Sequence, residues 1–172
     1  MLKLITIIGN IVIFVCGIWL LTMLSVLLHE FGHALGYMLS TGDRDWHIEV
    51  GQGKQLLNTK PLTINLFVID GFLSADENKL NTKTHLITTL AGGPIMSLLL
   101  VAGRLVLKFG GISPDSEVLA SGMIKSLYYI ALFINLLILL WSVIPAHGFF
   151  RDMDDVGTDV MQIINTLKRP EK

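Results

Sequence analysis

Residues 29–33 read His29-Glu30-Phe31-Gly32-His33. On a helix, side chains four residues apart lie one turn apart on the same face. Both imidazoles can then reach one zinc ion at about 2.0–2.1 Å. Glu30 stands beside that point and can take a proton from the water that such an ion activates. The chemistry implied is metal-assisted hydrolysis. Histidines bonded only to their neighbours near the lipid headgroups would look similar singly. Two of them flanking a glutamate at this spacing favour a metal. Gly32 and Gly36 lie on the same helix four residues apart, a spacing that lets another helix pack closely.

The elements that must hold these residues are apolar. Residues 4–28, 86–103 and 126–146 carry no Asp, Glu, Lys or Arg. A helix needs about 20 apolar residues to cross a bilayer. The second stretch extends to Leu107 if Arg104 snorkels. Three transmembrane helices are therefore expected, at about 4–39, 86–107 and 124–144. The first is too long for the apolar part of a signal peptide, about 7–15 residues. Residues 46–50 alternate, Gly51 and Gly53 follow, and Leu62, Ile64, Leu66 and Val68 recur with period two. Two or three short strands are expected between about 46 and 69. Phe67 and Ile69 make the later strand apolar on both faces. Residues 74–84 read as a turn or exposed loop. A C-terminal amphipathic helix is expected at about 159–168. The expected fold is a mainly α-helical membrane protein with a small membrane-associated β region, in a single domain over residues 1–172.

Composition agrees with that class. Of 172 residues, 52% are hydrophobic and 16% are charged, and mean hydropathy is +0.62. The net charge of -1 offers no basic surface for nucleic acid. One cysteine, Cys16, excludes an internal disulfide. Lysine and arginine are unequally shared between the two sides of a three-span chain. One side holds Lys3, Arg104, Lys108 and Lys125. The other holds Arg44, Lys54, Lys60, Lys79, Lys83, Arg151, Lys168, Arg169 and Lys172. The richer side is expected to be cytoplasmic, which leaves the N-terminus outside and the C-terminus inside.

With the motif on an apolar helix, the chain resembles the site-2 protease family of intramembrane zinc metalloproteases. The family core is three transmembrane helices. His29, Glu30 and His33 match its ligand, general-base and ligand positions. Ala91-Gly92-Gly93-Pro94 looks like its small-residue and proline segment near the start of the second core helix. A first-turn place for Pro94 also suits a residue without a backbone donor. The segment from about Ile48 to Val68 resembles the family's membrane-associated β region.

The resemblance implies a third ligand, an aspartate after the third core helix. The family's Asn-x-x-Pro followed by Asp-Gly is absent here. Asn135 is present, but Ile138 stands three residues on, and Pro145 comes later. Gly157-Thr158-Asp159 resembles the Gly-Ser/Thr-Asp form of a divergent branch. Asp159 is the expected ligand, with Asp155 and then Asp152 in reserve. Asp159 can equally be a helix N-cap. Asp152, Asp154 and Asp155 also read as a solvated cluster. Asn135, an amide inside an apolar helix, either binds substrate backbone and supports the oxyanion or bonds to another helix. His47, His85 and His147 carry no assigned role.

The resemblance thus implies a Zn2+ cofactor and an endopeptidase that cleaves a transmembrane protein or peptide within the lipid bilayer. The alternative reading is a non-catalytic zinc-binding membrane regulator or scaffold that keeps the protease core.

Overall fold

The computed structural model describes residues 2–110, 122–144 and 158–168. Asp152, Asp154, Asp155, Pro145 and His147 lie outside the described residues. Four α-helices and one β-hairpin account for nearly all the rest. The fold is mainly α-helical, and three of its helices are long and apolar enough to cross a membrane.

Helix α1 runs from Leu2 to Thr41, 40 residues, which is about 60 Å at 1.5 Å per residue. It stops where Gly42 takes a left-handed φ of 74° and donates to the Met38 carbonyl at 2.9 Å, a glycine end that spares a side chain strain. Tyr37, wholly buried, donates to Asp43 Oδ2 at 2.9 Å and fixes the turn that follows.

Strands β1 (Trp46–Thr59) and β2 (Leu62–Ala75) form one antiparallel hairpin. Two long strands replace the expected two or three short ones. β2 also continues past Ile69, because residues 71–75 complete the backbone pairing of residues 46–50. The hairpin curls on itself, so residues 62–64 lie beside 48–50 as well as 57–59. Gly51 and Gly53, at φ 77° and 88°, allow the irregular register there. Ile48 and Val50 then meet Met23, Val26 and Ala34 of α1 in the main core. Trp19 Nε1 donates to the Leu66 carbonyl at 2.7 Å, pinning β2 to the middle of α1.

Helix α2 spans Lys83–Phe109 and begins at Thr82, whose hydroxyl accepts the His85 N–H at 3.1 Å. Pro94 therefore lies in the helix interior, not in its first turn. The cap at Thr82 starts the helix early, and the missing proline donor is absorbed mid-helix. Helix α3 spans Gly122–Val143 and α4 spans Asp159–Lys168.

Contacts set the helix directions. A Cβ on Gly32 would strike the Gly92 carbonyl oxygen at 2.3 Å, and one on Gly36 would strike that of Thr88 at 2.3 Å. As numbers rise along α1 they fall along α2, so this pair is antiparallel and touches backbone to backbone. Ser25 meets Asn135, and Gly17 meets Leu127, so α3 runs parallel to α1. The ends of α1 and α3 and the start of α2 thus gather at one end of an up-down-up bundle. Most other large apolar side chains on these helices face outward.

Candidate metal centre

The motif lies in the last third of α1, on the stretch that faces α2 and the hairpin. His29, Glu30 and His33 are all buried. The close glycine contact with α2 explains this placement. It draws Thr89, Gly93 and Ser97 of the buried stripe of α2 against the two histidines. Gly93 makes room for one of them: a Cβ there would lie 2.2 Å from His33 Nε2.

Each imidazole is held by its Nδ1. His33 Nδ1 lies 2.8 Å from the Thr89 carbonyl oxygen. A carbonyl only accepts, so the proton sits on Nδ1 and a neutral ring leaves Nε2 with a free lone pair. The Gly93 N–H also lies 3.3 Å from that Nδ1, but the shorter carbonyl contact decides the tautomer. His29 Nδ1 lies 2.8 Å from Ser97 Oγ, and Ser97 is only 1% exposed. Such outer partners are how metal-binding histidines are oriented.

The two Nε2 atoms converge, 3.3 Å apart. Asp159 joins them from α4: its Oδ2 is 3.4 Å from His29 Nε2 and its Oδ1 is 3.5 Å from His33 Nε2. Ligands at about 2.0–2.1 Å from a tetrahedral ion stand about 3.3–3.4 Å from one another. The three observed separations fit that triangle. Donors this close repel through their lone pairs unless a cation or proton lies among them. The cluster can therefore coordinate a divalent metal ion, and it is the one His/Cys/Asp/Glu group with that geometry among the described residues.

Asp159 is the first residue inside α4, not the residue before it. Its carboxylate faces the histidines at 16% side-chain exposure. Burial alone would raise the Asp159 carboxyl, but His29 and His33, when protonated, donate to it and outweigh burial, holding it at about 2. The bundle brings α4 here. Since α3 is parallel to α1 with Ser25 beside Asn135, its last turn ends level with His33.

Glu30 faces the hairpin. A Cβ on Gly71 would lie 2.8 Å from Glu30 Oε1, so only a glycine in β2 leaves the carboxylate its space. Asn135 is 1% exposed. Its Nδ2 donates to Ser25 Oγ at 3.1 Å and to the Ala131 carbonyl at 2.7 Å. Both amide protons are thereby used, one of them in a bond between helices, while the buried Oδ1 has no partner. His47 bonds to Thr63 Oγ1 at 3.0 Å and His85 to the Lys79 carbonyl at 2.9 Å, so both serve local structure.

Sequence reasoning did not single out Thr89, Ser97, Ser25 or Gly71, and it noted Thr158 only as part of the Gly157-Thr158-Asp159 motif. Thr89, Gly93 and Ser97 did carry a signal: small or hydroxylated residues at steps of four within an apolar run. No family model, curated protein or solved structure matches this chain.

Proposed function

We propose that this chain is a minimal three-helix intramembrane metalloprotease of the site-2 type, which hydrolyses a peptide bond of a membrane-embedded protein. One observation carries the reading. His29 Nε2, His33 Nε2 and the Asp159 carboxylate stand 3.3–3.5 Å apart, and Glu30 adjoins the first of them in sequence.

The donor set, two imidazoles and one carboxylate, leaves a tetrahedral ion one further position and suits a catalytic Zn2+. Bound there, zinc would supply a Lewis acid that acidifies water and polarises a carbonyl. His29 and His33, oriented by Ser97 and Thr89, and Asp159 would hold it. Glu30 takes the proton from the attacking water and returns it to the leaving amine. Its carboxylate is kept against Gly71, inside the protein and away from bulk solvent. Asn135 Oδ1, having no partner, is free to accept a backbone N–H of an unwound substrate segment. Hairpin edges suit an extended substrate added as a further strand. The excess of lysine and arginine in the segments after the first and third spans supports a cytoplasmic-facing site.

The test is hydrolysis of a transmembrane peptide by the full chain in liposomes. Glu30→Gln should keep zinc and lose cleavage. Full cleavage by Glu30→Gln would reject the mechanism.

A further inference from the structure

We propose that Thr158 is the positioning residue of the metal centre. Its hydroxyl, bonded to the Ile144 carbonyl just past the third span, sets the place of Asp159 and hence the metal affinity. The inference rests on the metal-site reading above and adds how that site is assembled.

Two of the three ligands share one helix, and that helix is locked to α2 by the backbone contact of Gly32 with Gly92. The third comes from α4, a ten-residue helix, shorter than the ~12–15 residues at which isolated helices become even marginal in water. The position of Asp159 must therefore come from whatever ties α4 down. Besides its packing against α2, two hydrogen bonds tie α4 to helix ends. Thr158 Oγ1 donates to the Ile144 carbonyl at 2.9 Å. Lys83 Nζ, in the first turn of α2, donates to the Leu167 carbonyl at 3.4 Å.

The Thr158 bond is the shorter of the two, and Thr158 is buried. It also precedes the ligand directly. Ile144 follows the last turn of α3, where carbonyls lack partners within the helix. Thr158 satisfies one of these, and its own carbonyl accepts the Gln162 N–H at 3.0 Å, starting α4. The side chain thus takes its bearing from α3 while the backbone launches the next helix. Because α3 ends level with His33, this bond, together with the packing of α4 on α2, carries Asp159 to the two Nε2 atoms.

The experiment uses the full chain in detergent and measures zinc affinity by chelator competition. Visible absorption of the cobalt(II)-loaded protein reports the coordination geometry. Thr158→Val should weaken zinc by about 10–100-fold, the usual cost of losing an outer partner of a metal ligand, and alter the cobalt spectrum. Thr158→Ser should restore both. In an Asp159→Ala background, Thr158→Val should add no further loss. Should Thr158→Val not fold, the comparison of Thr158→Ala with Thr158→Ser carries the same contrast. Zinc affinity unchanged by loss of the hydroxyl, or a loss that persists without Asp159, overturns the role of Thr158 while leaving the metal centre standing. A wild-type chain that takes up no zinc overturns both.

Discussion

Gly93 of α2 faces the ring of His33 so closely that a methyl group there would lie 2.2 Å from Nε2. The helix can yield only by moving away from α1, and the two backbones already touch at Gly32 and Gly92. Gly93→Ala should therefore lower stability by about 1–3 kcal/mol, as overpacking does, and weaken metal binding. Gly103, on the same helix, has nothing within 4 Å of a built Cβ. Gly103→Ala should be neutral, or should stabilise by up to ~1 kcal/mol through helix propensity. Denaturation of the two variants in detergent, with zinc stoichiometry measured on each, separates packing from propensity. Equal behaviour would reject the packing account.

Thr89 and Ser97 both neighbour the histidines, but by different atoms. Ser97 uses its hydroxyl on His29. Thr89 uses its backbone carbonyl on His33, while its own Oγ1 is buried without a partner. Ser97→Ala should weaken zinc by about 10–100-fold. Thr89→Val should leave zinc binding intact and should not destabilise, since it removes an unsatisfied hydroxyl at nearly constant shape. Competition titrations on both variants check the contrast. A large zinc loss in Thr89→Val would contradict it.

Asn135 and Ser25 join α3 to α1 one turn before the motif. Removing either should cost the same bond, so their effects should not add. A double-mutant cycle with Asn135→Ala and Ser25→Ala should give a coupling of about 0.6–1.7 kcal/mol, the range for hydrogen bonds between membrane helices. A coupling near zero would show that the bond is not made in the membrane.

Acid should release the metal through the imidazoles rather than through Asp159. With its carboxyl held at about 2, Asp159 is ionised throughout the working range. It begins to protonate only as pH falls from the ordinary aspartate value near 3.9 toward about 2. Histidine binds a metal only when neutral, so zinc affinity should fall on acidification well before the Asp159 carboxyl protonates, with protons taken up as zinc leaves. A release confined to below about pH 4 would assign it to the carboxylate instead.

What could be read from the chain tracks how local each signal is. The pair His29 and His33 is one helical turn, so its geometry follows from spacing alone. The spans follow from uncharged runs. Asp159 is far from both in sequence, and residue types near it offered several aspartates; the family resemblance picked it out, and the parallel packing of α3 on α1 explains how it arrives. The length of β2 was hidden because Ser74 and Ala75 carry little strand character; their pairing with His47 and Trp46 is a tertiary fact. Pro94 misled for a similar reason. Proline marks a helix start by local preference, whereas here the start belongs to Thr82. Gly71 gave no local sign at all, since what it leaves room for is Glu30, on another element.

Helix α1 has one further consequence, through its length. Its uncharged run, residues 4–28, measures about 37 Å, while the hydrocarbon slab is about 30 Å thick. The excess must be taken up by leaning, at roughly 35°, or by the far end rising out of the oil. His29 begins where that run stops. In a thin bilayer an upright α1 lifts the histidines toward the headgroups; in a thick one they sink. Lipid chain length would thereby set how far the His29, His33 and Asp159 cluster stands from water, as a dial that touches none of the three side chains.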